Sequence, residues 1–236
     1  MNSAPASRRD PRPLATLSGA SKAIRRGAAL ALAAAARSDR RVRDELCAGL
    51  ASADPQTRFA CAFALAKSGV SAAEPRMLDA LCEAIGAPDS DRRWAAAAAI
   101  ARLGANSHTH ARLAHIVRAG TPRARRMALY CLRGVDGPHD CRLGAEGARD
   151  ADARVRLAAL AMIAGRAKGC ADCAACALER LDRDSAAGVR RAAAAALGRL
   201  GVRSPAIRRA LTRAAELPDG GLARAARGAL ERLLRH

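Results

Sequence analysis

The stretch SAAGVRRAAAAALGRLG, Ser185 to Gly201, decides the fold, because versions of its pattern occur seven times between residue 21 and the C-terminus. A small capping residue is followed four or five positions later by Arg. Ala or another apolar residue then stands three, four and six positions beyond the Arg, with Leu or Ile at seven. The pattern arginines are Arg25, Arg58, Arg93, Arg125, Arg156 and Arg190, and Ala223 takes the seventh place. Their spacings of 33, 35, 32, 31, 34 and 33 residues are the period of stacked helix pairs.

Working outward, four residues before these positions stand Ser21, Asp54, Asp89, Thr121, Asp152, Ala186 and Asp219. Most are strong N-caps, and Ser185 lies next to the alanine exception. Pro55 and Pro122 then occupy the first helical position, where the missing N–H has no intrahelical partner to lose. Gly69, Gly104, Gly134, Gly165 and Gly201 read as left-handed ends of the first helices. Second helices follow, opening near Pro75, Pro138 and Pro205. The expected pairs are 21–34 with 39–52, 54–68 with 74–86, 89–103 with 107–119, 121–133 with 139–149, 152–165 with 170–182, and 185–200 with 204–217, then a lone helix over 219–234.

Composition agrees with thin stacked helices. Half of the 236 residues are hydrophobic, but the aromatic ones are only Phe59, Phe63, Trp94 and Tyr130. Ala has the highest helix propensity yet fills a deep interior poorly, which favours close, shallow helix contacts. Residues 1–18, with Pro5, Pro11 and Pro13, show no helical period and read as a disordered basic tail, with the repeats over 19–236. The motif SRRDPRPL followed by GAALALAAAARS imitates a twin-arginine export signal. Its apolar run starts late, however, and Ile24, Arg25, Ala28, Ala29, Ala31 and Leu32 keep the register of the later repeats. Eight cysteines without a secretory context point to reduced thiols and a cytoplasmic protein. No run reaches the roughly 20 apolar residues of a membrane span.

The segments DPQTRFACAFALAKSG, DSDRRWAAAAAIARLG, DARVRLAALAMIAG and SAAGVRRAAAAALGRLG resemble HEAT repeats, in the short bacterial form also called PBS-lyase HEAT-like repeats. The resemblance implies an all-α, right-handed α-solenoid of about six helix pairs plus a C-terminal capping helix, an armadillo-type superhelix. It also implies that each pattern arginine is structural: Arg25, Arg58, Arg93, Arg125, Arg156 and Arg190 would form a ladder, each reaching an Asp or carbonyl of a neighbouring repeat. That offsets a cation's unfavourable position in the first turn of a helix, about a few tenths of a kcal/mol.

With the first helices convex, as the resemblance implies, the second helices line the concave face. Helical spacing puts Arg41, Asp44 and Ala48 on that face, then Arg76, Asp79 and Glu83, then His108, Arg112 and His115. Arg142, Glu146 and Arg149 follow, then Ala175, Glu179 and Asp182, and finally Arg209, Arg213 and Glu216. The signs alternate. The chain has 41 basic and 22 acidic residues, a net charge of +19, and GC-rich codon usage accounts for such an Arg, Ala, Gly and Pro bias as readily as a polyanionic partner does. A mixed face lacks the continuous phosphate-neutralising run of a nucleic-acid groove, and it carries no aromatic platform for single strands.

Chemistry-bearing clusters are few. His108, His110, His115 and His139 lie close in sequence to Cys141, and His108, His139 and Cys141 are weak metal candidates beside the plainer reading of exposed polar residues at helix starts. In CADCAAC, Cys170, Cys173 and Cys176 stand at i, i+3 and i+6. The segment keeps the register of MLDALCEAI in the second repeat and reads as small buried packing residues. Deoxyhypusine hydroxylases have similar repeats but use His–Glu pairs, and no His here precedes Glu. Bilin lyases share only the repeat class, and a HEAT-type DNA glycosylase has no counterpart constellation here, since Trp94 falls on a first helix.

The sequence therefore leads to a non-enzymatic scaffold without cofactor that holds an acidic protein partner on its concave face through His108, Arg112, His115, Arg142 and Arg149. Nucleic-acid binding and a lyase-like role are the alternatives.

Overall fold

In a computed structural model of the chain the residues described are 21–69, 75–104, 106–133, 140–166 and 168–235. They form thirteen α-helices and no strand. In order these are α1 Lys22–Ala35, α2 Arg40–Gly49, α3 Pro55–Ser68, α4 Pro75–Ala84, α5 Ser90–Leu103, α6 Ser107–Ala119, α7 Pro122–Leu132, α8 Asp140–Gly147, α9 Ala153–Arg166, α10 Ala171–Arg183, α11 Ala187–Leu200, α12 Pro205–Glu216 and α13 Gly220–Arg235. The fold class is that of an all-α repeat solenoid. The tail read over 1–18 lies outside the described residues.

The chain divides into two compact units, Met1–Ala84 with Trp94–Leu103, and Ile85–Arg93 with Gly104–His236. In the first, α3 packs on α1, α2 and α4. In the second, α7, α9, α11 and α13 pack successively into one layer, and α6, α8, α10 and α12 pack successively into another against it. First helices thus touch first helices and second touch second, as a repeat of helix pairs requires.

Caps fix where the helices begin. Ser21 accepts from the Ile24 N–H, Asp54 from those of Gln56 and Thr57, and Thr121 from that of Ala124. Asp89 accepts from the Asp91 N–H, Asp152 from those of Arg154 and Val155, and Asp219 from those of Gly221 and Leu222. At α11 the cap differs from expectation. Ala186 supplies no side-chain bond, and Asp184 rather than Ser185 takes the free Ala186 N–H at 3.0 Å.

Left-handed glycines end three first helices, at Gly69 (φ 88°), Gly104 (φ 80°) and Gly201 (φ 69°). Gly165 does not end α9; the helix runs through it to Arg166, and the left-handed residue is Gly169 (φ 73°), whose N–H bonds to Leu200 O at 2.8 Å. Gly134 lies outside the described residues.

The core follows the sequence pattern closely. The residues three, four, six and seven positions after the pattern Arg are all buried in α3, α5, α7, α9 and α11, for example Ala193, Ala194, Ala196 and Leu197. In α1 and α13 the seam is narrower: Ala31 and Arg227 at matching positions are exposed. Small side chains let helices approach until backbone meets backbone. A Cβ added at Gly198 of α11 would stand 2.6 Å from Ala229 Cα and 2.8 Å from Ala229 Cβ of α13.

Gly198→Val should therefore destabilise the second unit by about 1–3 kcal/mol, since packed backbone gives way less readily than a side chain. Gly188→Ala, with only a distant arginine tip nearby, should be neutral or better. Urea denaturation followed by far-UV circular dichroism would compare them.

Candidate interaction face and its arginine supports

Each pattern arginine lies at the start of a first helix, where the preceding loop's carbonyls come within reach. Arg58 Nη1 donates to Ser52 O and Ala53 O, both at 2.8 Å, and its Nε and Nη2 bind the Glu83 carboxylate of α4. Arg93 Nη1 donates to Ala87 O and Pro88 O. Arg125 binds Gly120 O and holds Asp150 with Nε and Nη2 at 2.6 and 2.8 Å. Arg156 binds Asp150 O and Ala151 O and holds Asp184 at 2.7 and 2.9 Å. Planar two-point contact of this kind suits guanidinium, not ammonium.

Burial rises along this series. The side chains of Arg58 and Glu83 are 24% and 46% exposed, whereas those of Arg156 and Asp184 are 10% and 1% exposed. The last turn of the series departs from it. Arg190 Nε is buried with no hydrogen-bond partner among the described residues, and Asp219, at the head of α13, stands 4.0 Å from Arg191 Nη1.

These contacts set acidities. Burial acts to raise the Asp184 carboxyl, but hydrogen bonds from Arg156 and the Ala186 N–H, with the charges of Arg156 and Arg180, outweigh it and hold it below the ordinary range. At Asp150 burial is likewise outweighed, by Arg125, the Asp152 N–H and the Arg156 charge.

The second helices carry the residues assigned to partner binding. In the second unit, His108 and His115 on α6 are exposed and Arg112 is half-buried. Arg142 on α8 and Arg149 just beyond it are exposed. Sequence reasoning placed these residues on one face but missed the ion pairs that join them. Arg118 of α6 reaches Glu146 of α8 at 2.9 Å, Arg149 stands 3.7 Å from Glu179 of α10, and Arg213 of α12 stands 3.4 Å from Asp182 of α10. Arg142 also meets Glu146, at 3.1 Å. Three acids of the alternating stripe, Glu146, Glu179 and Asp182, are thus paired with arginines on or just beyond neighbouring helices. Burial acts to raise the Glu146 carboxyl, and the two arginines together bring it below its usual range. By contrast α6, SHTHARLAHIVRA, contains no acidic residue.

Among the metal candidates, His108 is exposed at the start of α6 and His139 lies outside the described residues. Cys141 comes together instead with Cys170 and Cys173, a grouping that the packing register of CADCAAC did not suggest. Trp94 is 55% exposed on α5. No described helix is long and apolar enough to cross a membrane.

Stacked helix pairs with recurring caps and arginines define an all-α helical-repeat solenoid, similar in fold to HEAT and armadillo repeat proteins. Residues 11–101 match the family model of HEAT repeats. Among solved structures, the archaeal HEAT-like repeats protein from Thermococcus onnurineus NA1 is similar at 15% identity, over 88% of this chain and 93% of that one, with a TM-score of 0.56. YibA of Escherichia coli is similar at 16% identity over 96% and 93%, with a TM-score of 0.54. A designed armadillo repeat protein solved in complex with the peptide (KR)4 is similar at 14% identity over 94% and 98%, with a TM-score of 0.51. No curated protein matches the sequence.

The depressed carboxyls give stability a definite pH dependence. Asp150 and Asp184 bind protons less tightly folded than unfolded. Their contribution is complete above the ordinary Asp range near 4, and is lost as pH falls through their lower folded values. Wild type should lose urea stability between pH 5 and about pH 3, and Asp184→Asn should show a shallower slope over the same window. Equal slopes would place the acid sensitivity elsewhere. At neutral pH, Arg156→Ala should cost about 3 kcal/mol, because it strands a buried carboxylate, and Arg58→Ala, facing a half-exposed partner, about 1 kcal/mol or less.

Proposed function

We propose that this protein is a non-enzymatic interaction scaffold that holds an acidic segment of a protein partner against its second-helix face, with His108, Arg112, His115, Arg142 and Arg149 as the contacts. The observation that carries this reading is the charge arrangement of the second unit. The acids Glu146, Glu179 and Asp182 are matched by arginines from adjacent second helices, while α6 presents arginine and exposed histidine with no acid of its own. An incoming carboxylate therefore meets positive potential at α6. Extended helical-repeat surfaces suit such contacts. The designed armadillo protein of similar fold holds a basic peptide; the sign of the face here calls for the opposite.

The test uses fluorescence anisotropy with three labelled probes: an Asp/Glu-rich peptide, a (KR)4 peptide and a short DNA duplex. The acidic peptide should bind, more weakly as salt rises. The double variant Arg112→Glu/Arg142→Glu should weaken it roughly tenfold or more, since each reversal replaces attraction by like-charge contact. Unchanged affinity in that variant sinks the assigned face. Duplex binding with a steep log–log salt slope, unaccompanied by peptide binding, would favour the nucleic-acid alternative.

A further inference from the structure

The second unit gathers three cysteines from two neighbouring helix starts. Cys141 is in the first turn of α8, Cys170 is the N-cap of α10, and Cys173 stands in the first turn of α10. Their sulfurs lie within 4.8 Å of one another. Cys170 Sγ accepts the Cys173 N–H at 3.4 Å, and Cys173 Sγ donates to Cys141 O at 3.5 Å. Cys176, one turn further along α10, instead points its thiol at Ala145 O.

We propose that Cys141, Cys170 and Cys173 form a three-thiolate site for one thiophilic d10 metal ion, with Zn(II) and Cu(I) as the ions to be distinguished. Three sulfurs around one ion at about 2.3 Å sit roughly 4 Å apart, so the site closes by less than about 1 Å from the arrangement present. Soft sulfur ligands select these ions over Mg or Ca. Two helix N-termini direct their positive ends at the cluster, which favours thiolate over thiol. Exposure supplies the entry path: Cys173 is buried, whereas Cys141 and Cys170 are only half-buried. Burial acts to raise the Cys170 thiol, but the Cys173 N–H and hydrogen bonds with the other two thiols outweigh it and bring it below the ordinary thiol range. Burial pushes Cys173 well up, so that thiol keeps its proton until a bound metal ion displaces it. On binding, three S–H protons pass to buffer and three S–metal bonds form without change of oxidation state. Zn(II) would complete its coordination with a water; Cu(I) needs only the three sulfurs.

The experiment is anaerobic titration of the reduced full-length protein with Zn(II), and separately with Cu(I) in competition with a chromophoric chelator. It is read by native mass spectrometry and by protection of cysteines from alkylation. One ion per chain should bind, with Cys141, Cys170 and Cys173 protected together. Cys170→Ser and Cys141→Ser should each weaken retention about a hundredfold with an unchanged far-UV spectrum. Cys47→Ser, on α2 in the other unit, should leave it intact. Retention of neither ion, or equal retention in Cys170→Ser, overturns the proposal. So does a Cys170–Cys173 or Cys141–Cys170 disulfide in protein purified without reductant, if the reduced protein then holds no metal; that result assigns the cluster to thiol redox chemistry instead.

Discussion

The fold rests on a guanidinium held between two levels of the stack. Asp150 shows how the levels are joined: its carboxylate receives Arg125, while its backbone carbonyl receives Arg156, whose own fork holds Asp184. Asp184 in turn takes the Ala186 N–H at the head of α11 and stands 3.7 Å from Arg180. A charge in the first turn of a helix is locally unfavourable, and at Arg58, Arg125 and Arg156 loop carbonyls and a carboxylate around the guanidinium offset it. At Asp150 and Asp184 this arrangement also ties the arginine to the cap of the next first helix, since these carboxylates take the Asp152 and Ala186 N–H groups.

A thin core is the complement of that constraint. Buried positions filled by Ala bring helices close, and each residue contributes less apolar area than Leu or Phe would, by roughly 25 cal/mol per Å² forgone. Stacking must therefore be accurate, and directional contacts between first helices supply the accuracy that shape alone does not. The near-contact of Gly198 with Ala229 marks the limit of this strategy, where α11 contributes no side chain and α13 only a methyl group.

Helix positions and the buried seam were legible in the sequence because caps, prolines and apolar spacing are local signals, each acting within a few residues. The partners of the arginines were not legible. Glu83, Asp150 and Asp184 lie 25, 25 and 28 residues beyond Arg58, Arg125 and Arg156, and they occupy different places on or after the second helix. Gly165 misled for a related reason: a glycine near the expected end satisfies the pattern, but α9 continues through it to Arg166, and the left-handed residue is Gly169, where the N–H finds Leu200 O. The cysteine cluster was hidden by register. Cys173 occupies a packing position shared with Met77, both fully buried, and only the packing of α8 on α10 brings Cys141 beside it.

Charge distribution connects the architecture to its surface. Acidic residues are engaged at caps, at Asp54, Asp152 and Asp219, under the arginines, at Asp150 and Asp184, and between second helices, at Glu146, Glu179 and Asp182. Each carboxylate held in this way is unavailable to neutralise exposed arginines elsewhere, such as Arg208 and Arg209 on α12. The excess of 41 basic over 22 acidic residues is thus carried by basic residues outside these pairs. Under the proposed function, a partner that supplies carboxylates completes outside the molecule the pairing that the repeats complete within it.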